Sequence, residues 1–353
     1  MSLAARIAAA VGRHALEVHN RDIFPPHELV ELYRDIGPIV VNPVVDNAFR
    51  RHEAAAVVAR RTYHQRGRIG MVLVLLSALF TVAMALILPH DTPPLKAISI
   101  VVIFIGAGGL SIQIHQLLTG QKKLWLMNRF AAERIRSIKF QAYQLAAVAR
   151  SREDLQARAD AFYTQELGHL NAELNAGAAA LTLFSPSGAF ADLRSSSPPA
   201  NGDLSAIATD AYRELRIEYQ RRFAAAEIQK LGEKQRVHYA WADILYLAGV
   251  ALTVAALVCK LIFPHNTTFE HWIDFLAVGA FIGGLLRAII DNASLADTSK
   301  GRYENYIKAI EDYDRELNED GFTLAMSVRQ VERIVLGELG QFCEAASHIT
   351  YRL

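Results

Sequence analysis

Cysteine is nearly absent from this chain: Cys259 and Cys343 are the two in 353 residues. Neither belongs to a CxxC pair or a Cys/His cluster, which excludes a zinc site and a disulfide framework. The 12 histidines are scattered, with no HExxH or HxH spacing. There is no GxSxG elbow for a serine nucleophile and no GxxxxGK[ST] loop for a nucleotide phosphate. Excess charge of one sign is also lacking. Basic residues number 37 against 36 acidic ones, so no global field draws the chain to nucleic acid. Glu133, Glu166 and Glu338 fall on amphipathic patterns and are expected on solvated faces. No catalytic constellation, cofactor or metal is expected, and no stretch reads as a sheet. A cleavable leader is not expected either, because Arg6 interrupts the short apolar start "MSLAARIAAAV" and a long polar region follows.

What the chain does have is clustered apolar sequence. Hydrophobic residues make up 52% of it. Four runs, 70–88, 97–118, 242–263 and 272–290, are each near the about 20 residues that cross a bilayer as a helix. Cys259 lies in the third run. The fourth contains Arg287, close enough to its end to snorkel to the interface. The stretch "GAGGLSIQIHQ" from Gly106 looks briefly like a phosphate loop. Ser111 occupies the place of the third glycine and the flanks are one apolar run, so these are glycines of a membrane helix.

The runs pair as hairpins around "HDTPPLK" and "HNTTFEH". Basic residues sit at the opposite ends: Arg60, Arg61, Arg66 and Arg68 before the first run, Lys122, Lys123 and Arg129 after the second. Lys234 and Arg236 precede the third, and Lys300 and Arg302 follow the fourth. The positive-inside rule then places both termini and the middle segment in the cytoplasm. The "NTT" at Asn266 reads as a chance match to a glycosylation acceptor.

The hairpins are related by duplication. Pro89-His90 recurs as Pro264-His265, and Gly108-Gly109-Leu110 as Gly283-Gly284-Leu285, both 175 residues on. Such a repeat defines the architecture. Here it is helix, membrane hairpin, helix, twice in the same orientation. Gly279 and Gly283 form a GxxxG. Ser77, Thr81 and Ala85 make a small-residue stripe on the first run, and Gly249 with Thr253 a shorter one on the third. These read as positions of close helix packing or of a pore lining. Gln113 and Arg287 are polar members of the membrane runs near their cytoplasmic ends.

Outside the runs the pattern stays helical. Leu124, Ala131, Ile135, Ile138, Ala142 and Leu145 recur near a 3.5-residue period over 121–150. The cations among them, Lys122, Lys123, Arg129, Arg134, Arg136 and Lys139, read as lipid-facing charge or as a site for an anionic ligand. Residues 184–205 form a Ser/Pro/Gly-rich linker, with helix resuming near Ala206. From Thr323, Leu324, Val328, Val331, Val335, Leu339 and Phe342 share one face. Val331 and Leu339 are the candidate coupling residues of that helix.

This layout resembles the SLATT family, the two-helix membrane effector domains associated with SMODS nucleotidyltransferases and SLOG sensors in bacterial conflict systems. The resemblance rests on "DIFPPHELVELYRDIG" and "FRRHEAAAVVARR" leading into the first hairpin, and on "KKLWLMNRFAAERIRSIKFQAY" after it. "RYENYIKAIEDYDREL" and "VRQVERIVLGELGQFCE" follow the second. It implies an all-α membrane protein of two tandem units: an extension 1–20, a first unit 21–160, the linker, and a second unit 206–353. It further implies a pore-forming or membrane-disrupting effector of the bacterial inner membrane. Membrane lipids, further copies of the chain and a nucleotide-signalling or sensor partner would be its partners. A membrane scaffold or sensor and a small ion transporter are the competing readings.

Overall fold

The computed structural model describes residues 20–87, 93–175, 201–233, 296–319 and 323–348, with 247, 251, 254 and 258 as single positions. These residues are helical throughout, with turns and no strand, so the all-α expectation holds for the described chain. In order they are α1 (His27–Leu32), a 3-10 turn (Arg34–Ile36), α2 (Gly37–Val40), α3 (Pro43–Ile87), α4 (Pro93–Thr119) and α5 (Gln121–Gln141). A 3-10 segment (Ala142–Ala147), α6 (Arg152–Asn175), α7 (Gly202–Tyr212), a π segment (Arg213–Glu218) and α8 (219–233) follow. The last two are α9 (Ala296–Glu319) and α10 (Leu324–His348).

The helix ends follow local chemistry. Asn42 caps α3, its Oδ1 accepting from the amides of Val44 at 3.1 Å and Val45 at 3.4 Å. Pro43 then fills the first helical position, where its missing N–H costs nothing. Pro93 and Pro94 likewise open α4, so half of the "HDTPPLK" loop is already helix. Gly120 has φ 59°, a left-handed conformation that suits glycine, and it separates α4 from α5. Asn201 caps α7 through the amides of Asp203 and Leu204, at 3.1 and 3.2 Å. Helix therefore resumes at Gly202 rather than near Ala206, inside the expected linker; residues 184–200 lie outside the described chain.

Packing divides the chain into two units that interleave in sequence. One comprises Met1–Val58, Leu124–Gln229 and Lys300–Glu344; the other comprises Ala59–Lys123, Lys230–Ser299 and Ala345–Leu353. The tandem halves cut the sequence in a different way, at the linker.

The first unit has a large apolar core. Phe140 stacks on Tyr143 with centroids 5.6 Å apart, and Tyr212 meets both edge-on at 6.0 and 5.8 Å. The seam of α5 is buried from Ala131 onward, but Leu124 is exposed. On α10 the expected face is correct: Leu324, Val328, Val331, Val335 and Leu339 are all buried. Phe342, partly buried, meets Trp125 edge-on at 6.1 Å. Full burial of one such aliphatic or aromatic side chain stabilises by about 1.5–3 kcal/mol.

The second unit is built differently. The helical stretch Ile98–Ala147, of which residues 98–123 belong to this unit, holds a segment of mean hydropathy 1.9 that is long and apolar enough to cross a membrane, and 11% of that segment is buried. Ile103, Phe104 and Leu118 are 66, 72 and 80% exposed. In the third apolar run, 247, 251, 254 and 258 are helical and exposed, and their spacing puts them on one face.

Candidate functional site

Two places carry the candidate residues. The first is the contact between α3 and α4 in the second unit. Gly70 and Gly109 bring the two backbones together. A Cβ at Gly109 would lie 2.7 Å from the Gly70 carbonyl oxygen and 2.8 Å from Val74 Cγ2. One at Gly70 would lie 3.1 Å from the Gly109 oxygen. Further along, Ser77 Oγ donates to the Val102 carbonyl at 2.9 Å, and a Cβ at Gly106 would fall 2.5 Å from that same Oγ. Gln116 Nε2 donates to the Tyr63 carbonyl at 2.5 Å near the basic end.

The expected packing residues therefore separate. Ser77 and Gly109 are in the contact. Gly108 is not: a Cβ there would meet nothing within 4 Å. One residue along a helix is a rotation of about 100°, enough to turn Gly108 away from α3. Thr81 Oγ1 donates back to the Ser77 carbonyl at 2.8 Å and is exposed. Gln113 lies beside Gly70, and its Nε2 has no hydrogen-bond partner. Gly249, Thr253, Gly279, Gly283, Gly284 and Arg287 lie outside the described residues, as does the Ala85 side chain. Gly70 and Gly106 are members of this contact that the repeat pattern did not single out.

The second place is the charged interior of the first unit. Seven side chains alternate in sign as one chain: Glu53, Arg129, Glu133, Arg136, Asp22, Arg216 and Glu332. Arg129 lies 2.9 Å from Glu53 and 2.6 Å from Glu133. Arg136 lies 2.8 Å from Glu133 and 3.1 Å from Asp22, and also donates to Asn20. Asp22 is 3.6 Å from Arg216. Arg216 Nε and Nη2 donate to the two Glu332 oxygens at 2.7 and 2.8 Å. The chain links α3, α5, the segment before α1, the π segment and α10. Beside it, Lys139 Nζ donates to Asp46 at 2.9 Å and to the Ile23 carbonyl at 2.6 Å. Arg302 pairs with Glu338 at 2.8 Å.

This corrects two expectations. Glu133 and Glu338 do not decorate a solvated face; both sit in ion pairs, and Glu133 is buried. Arg129, Arg136 and Lys139 are neither lipid-facing nor held ready for an anionic ligand, because carboxylates of the same unit already hold them.

Proton affinities follow from this burial. Desolvation raises Asp22, against the opposing pull of Arg136 and Arg216. Glu133 goes the other way: burial works to raise it, but Arg129, Arg136 and Arg216 hold it below the ordinary carboxylate range. Burial lowers Lys139 and raises Asp46, each more than the other's charge restores. Cys343 is a free, buried thiol pushed up to about 12, chiefly by desolvation, so it is an inert core residue. Among the described residues no group of three metal-ligating side chains exists.

No protein family, curated protein or solved structure matches the chain.

Proposed function

We propose that this chain is a tandem double-hairpin protein of the bacterial inner membrane whose triggered rearrangement makes the membrane leaky. The carrying observation is the bare apolar surface of the second unit, on α4 and at 247, 251, 254 and 258, with a close glycine contact behind it. Large apolar side chains left this exposed along a helix belong in lipid or against further copies of the chain. The sequence duplication extends the reading to four spans, and the charge asymmetry puts both termini in the cytoplasm. The first unit, with its ion-paired interior and no cluster of reactive groups among its described residues, is then the cytoplasmic regulator. In the resting state it holds the hairpins closed. A nucleotide signal or a sensor partner opens them by binding the open arrangement better than the closed one. Coupling runs through α10, whose apolar face carries Val331 and Leu339.

The test has two arms. Reporter fusions at residues 92 and 267 should read periplasmic, and one at 200 cytoplasmic; a periplasmic signal at 200 overturns the topology. Induced expression should depolarise cells, and purified protein in liposomes should pass ions once triggered. Membrane insertion without flux, together with recruitment of a partner protein, would favour the scaffold reading.

A further inference from the structure

We infer that a groove beside the first turns of α3 receives the amino end of an apolar peptide, with its ammonium on Asp46 and its first carbonyl groups toward Arg50. The site belongs to the first unit and does not rest on the leak reading.

The groove has a volume of about 820 Å³. It lies between the turn that precedes α1, the start of α1, Val41 and the face of α3 that carries Asp46 and Arg50. That volume falls within the range of ligand sites, which are mostly apolar with a few placed polar groups. The lining has that composition, with Phe24, Pro25, Val30 and Val41 as its apolar bed.

Its walls are held in place. Lys139 Nζ donates to the Ile23 carbonyl of the turn at 2.6 Å and to Asp46 Oδ1 at 2.9 Å, so one buried ammonium ties wall to floor. Arg136 donates to Asn20 at the start of the same turn. The Arg50 guanidinium lies over the Phe24 ring, 4.5 Å from its centroid. A site formed in advance loses little to ordering when its ligand arrives.

The charges choose the ligand. Asp46 is 7% exposed and lines the groove, and a carboxylate so desolvated attracts a cation more strongly than one in water. Arg50 follows one helical turn later, at i+4, so the two Cβ atoms are about 5–6 Å apart. Consecutive Cα atoms of a peptide are about 3.8 Å apart, so an amino group and the carbonyls of the first one or two residues span that interval. Arg21 and Glu28 add one charge of each sign to the lining. His27, also on the lining, lies 3.8 Å from Glu31. An anion would therefore meet Asp46 and Glu28, and a simple cation would meet Arg21 and Arg50. An ammonium flanked by carbonyl acceptors, on an apolar body, suits both signs and the bed. Capture of a peptide terminus is a recurrent mode of recognition.

The test is calorimetric titration of the full chain in lipid nanodiscs, corrected for empty nanodiscs. The probes are trileucine amide, N-acetyl-trileucine amide and N-acetyl-trileucine. The first, with its free amino group, should bind saturably and about tenfold or more tighter than the other two. Asp46→Asn and Arg50→Gln should each weaken it by about tenfold. Asp46→Asn also takes the counter-charge from Lys139. If that variant does not fold, Val41→Trp, at a position 40% exposed on the groove edge, should block binding and leave the fold intact. Equal binding of the three probes overturns the proposal, as does binding that ignores Val41→Trp. Tighter binding of N-acetyl-trileucine would make the groove an anion site and overturns it too. So does the lack of saturable binding of trileucine amide up to about 1 mM. None of these outcomes involves ion flux, so failure here is distinct from failure of the leak reading.

Discussion

Gly70 and Gly109 occupy mirror roles: each carbonyl oxygen stands where the other residue's Cβ would go, at 2.7 and 3.1 Å. Adding a methyl at Gly109 must push α3 and α4 apart. Gly109→Ala should destabilise the hairpin by about 1–3 kcal/mol. Gly108→Ala, one residue away with open space around it, should leave hairpin stability unchanged. Steric-trap or denaturation measurements in micelles distinguish the two, and equal effects would refute the contact.

The Lys139–Asp46 pair makes a second case. Lys139→Met strands a buried carboxylate and should cost about 3–5 kcal/mol in chemical denaturation. Removing Asp46 as well, with Asp46→Leu, should recover much of that. The Ile23 carbonyl, which loses its donor, leaves a residual of about 1–3 kcal/mol. A double variant as unstable as the single would show that the charge is not the issue.

His64 supplies the pH dependence. Desolvation, then the charges of Arg60 and Arg68, lower it from 6.5 to about 4. The folded state thus favours the neutral ring. Its contribution to stability is present above pH 6.5 and is lost as pH falls from 6.5 toward 4. Histidine NMR should give a midpoint near 4 for this residue. His64→Gln should flatten the acid-side loss of stability in that window.

On α10, Val331 and Leu339 are 0 and 3% exposed, whereas Met326 is 64% exposed. Asp at either of the first two buries a lone charge and should release α10 from its core, at a cost of several kcal/mol. If the proposed leak is coupled to α10, ion flux in liposomes should change as well. Met326→Asp should stay within about 0.5 kcal/mol of the parent.

The sequence showed what repeats at short range and hid what pairs at long range. The face of α10 was legible because its apolar residues recur at helical spacing. The Gly-Gly echo pointed to the right turn of α4, but sequence alone does not fix which glycine faces α3. Ser77, small enough for a close approach, lies against Gly106 and the Val102 carbonyl. Gly70 escaped notice because it sits at the edge of its run, and its role exists only opposite Gly109. The charge chain left no local trace. Its partners Asp22, Arg216 and Glu332 come from three distant segments, and each taken alone looks like a surface residue. A mixed Arg/Glu pattern on α5 with apolar residues on every side was the available signal.

Arg216 and Glu332 are 116 positions apart, as are Arg136 and Asn20 and Lys139 and Ile23. During synthesis, therefore, Arg216 emerges more than a hundred residues before the Glu332 carboxylate that grips it with two hydrogen bonds. The interior can close fully only after Glu332 has left the ribosome. A chain cut short before Glu332 leaves Arg216 without that carboxylate and exposes an unfinished charged core to proteases. For a protein proposed to breach the cell's own membrane, that makes quality control depend on α10.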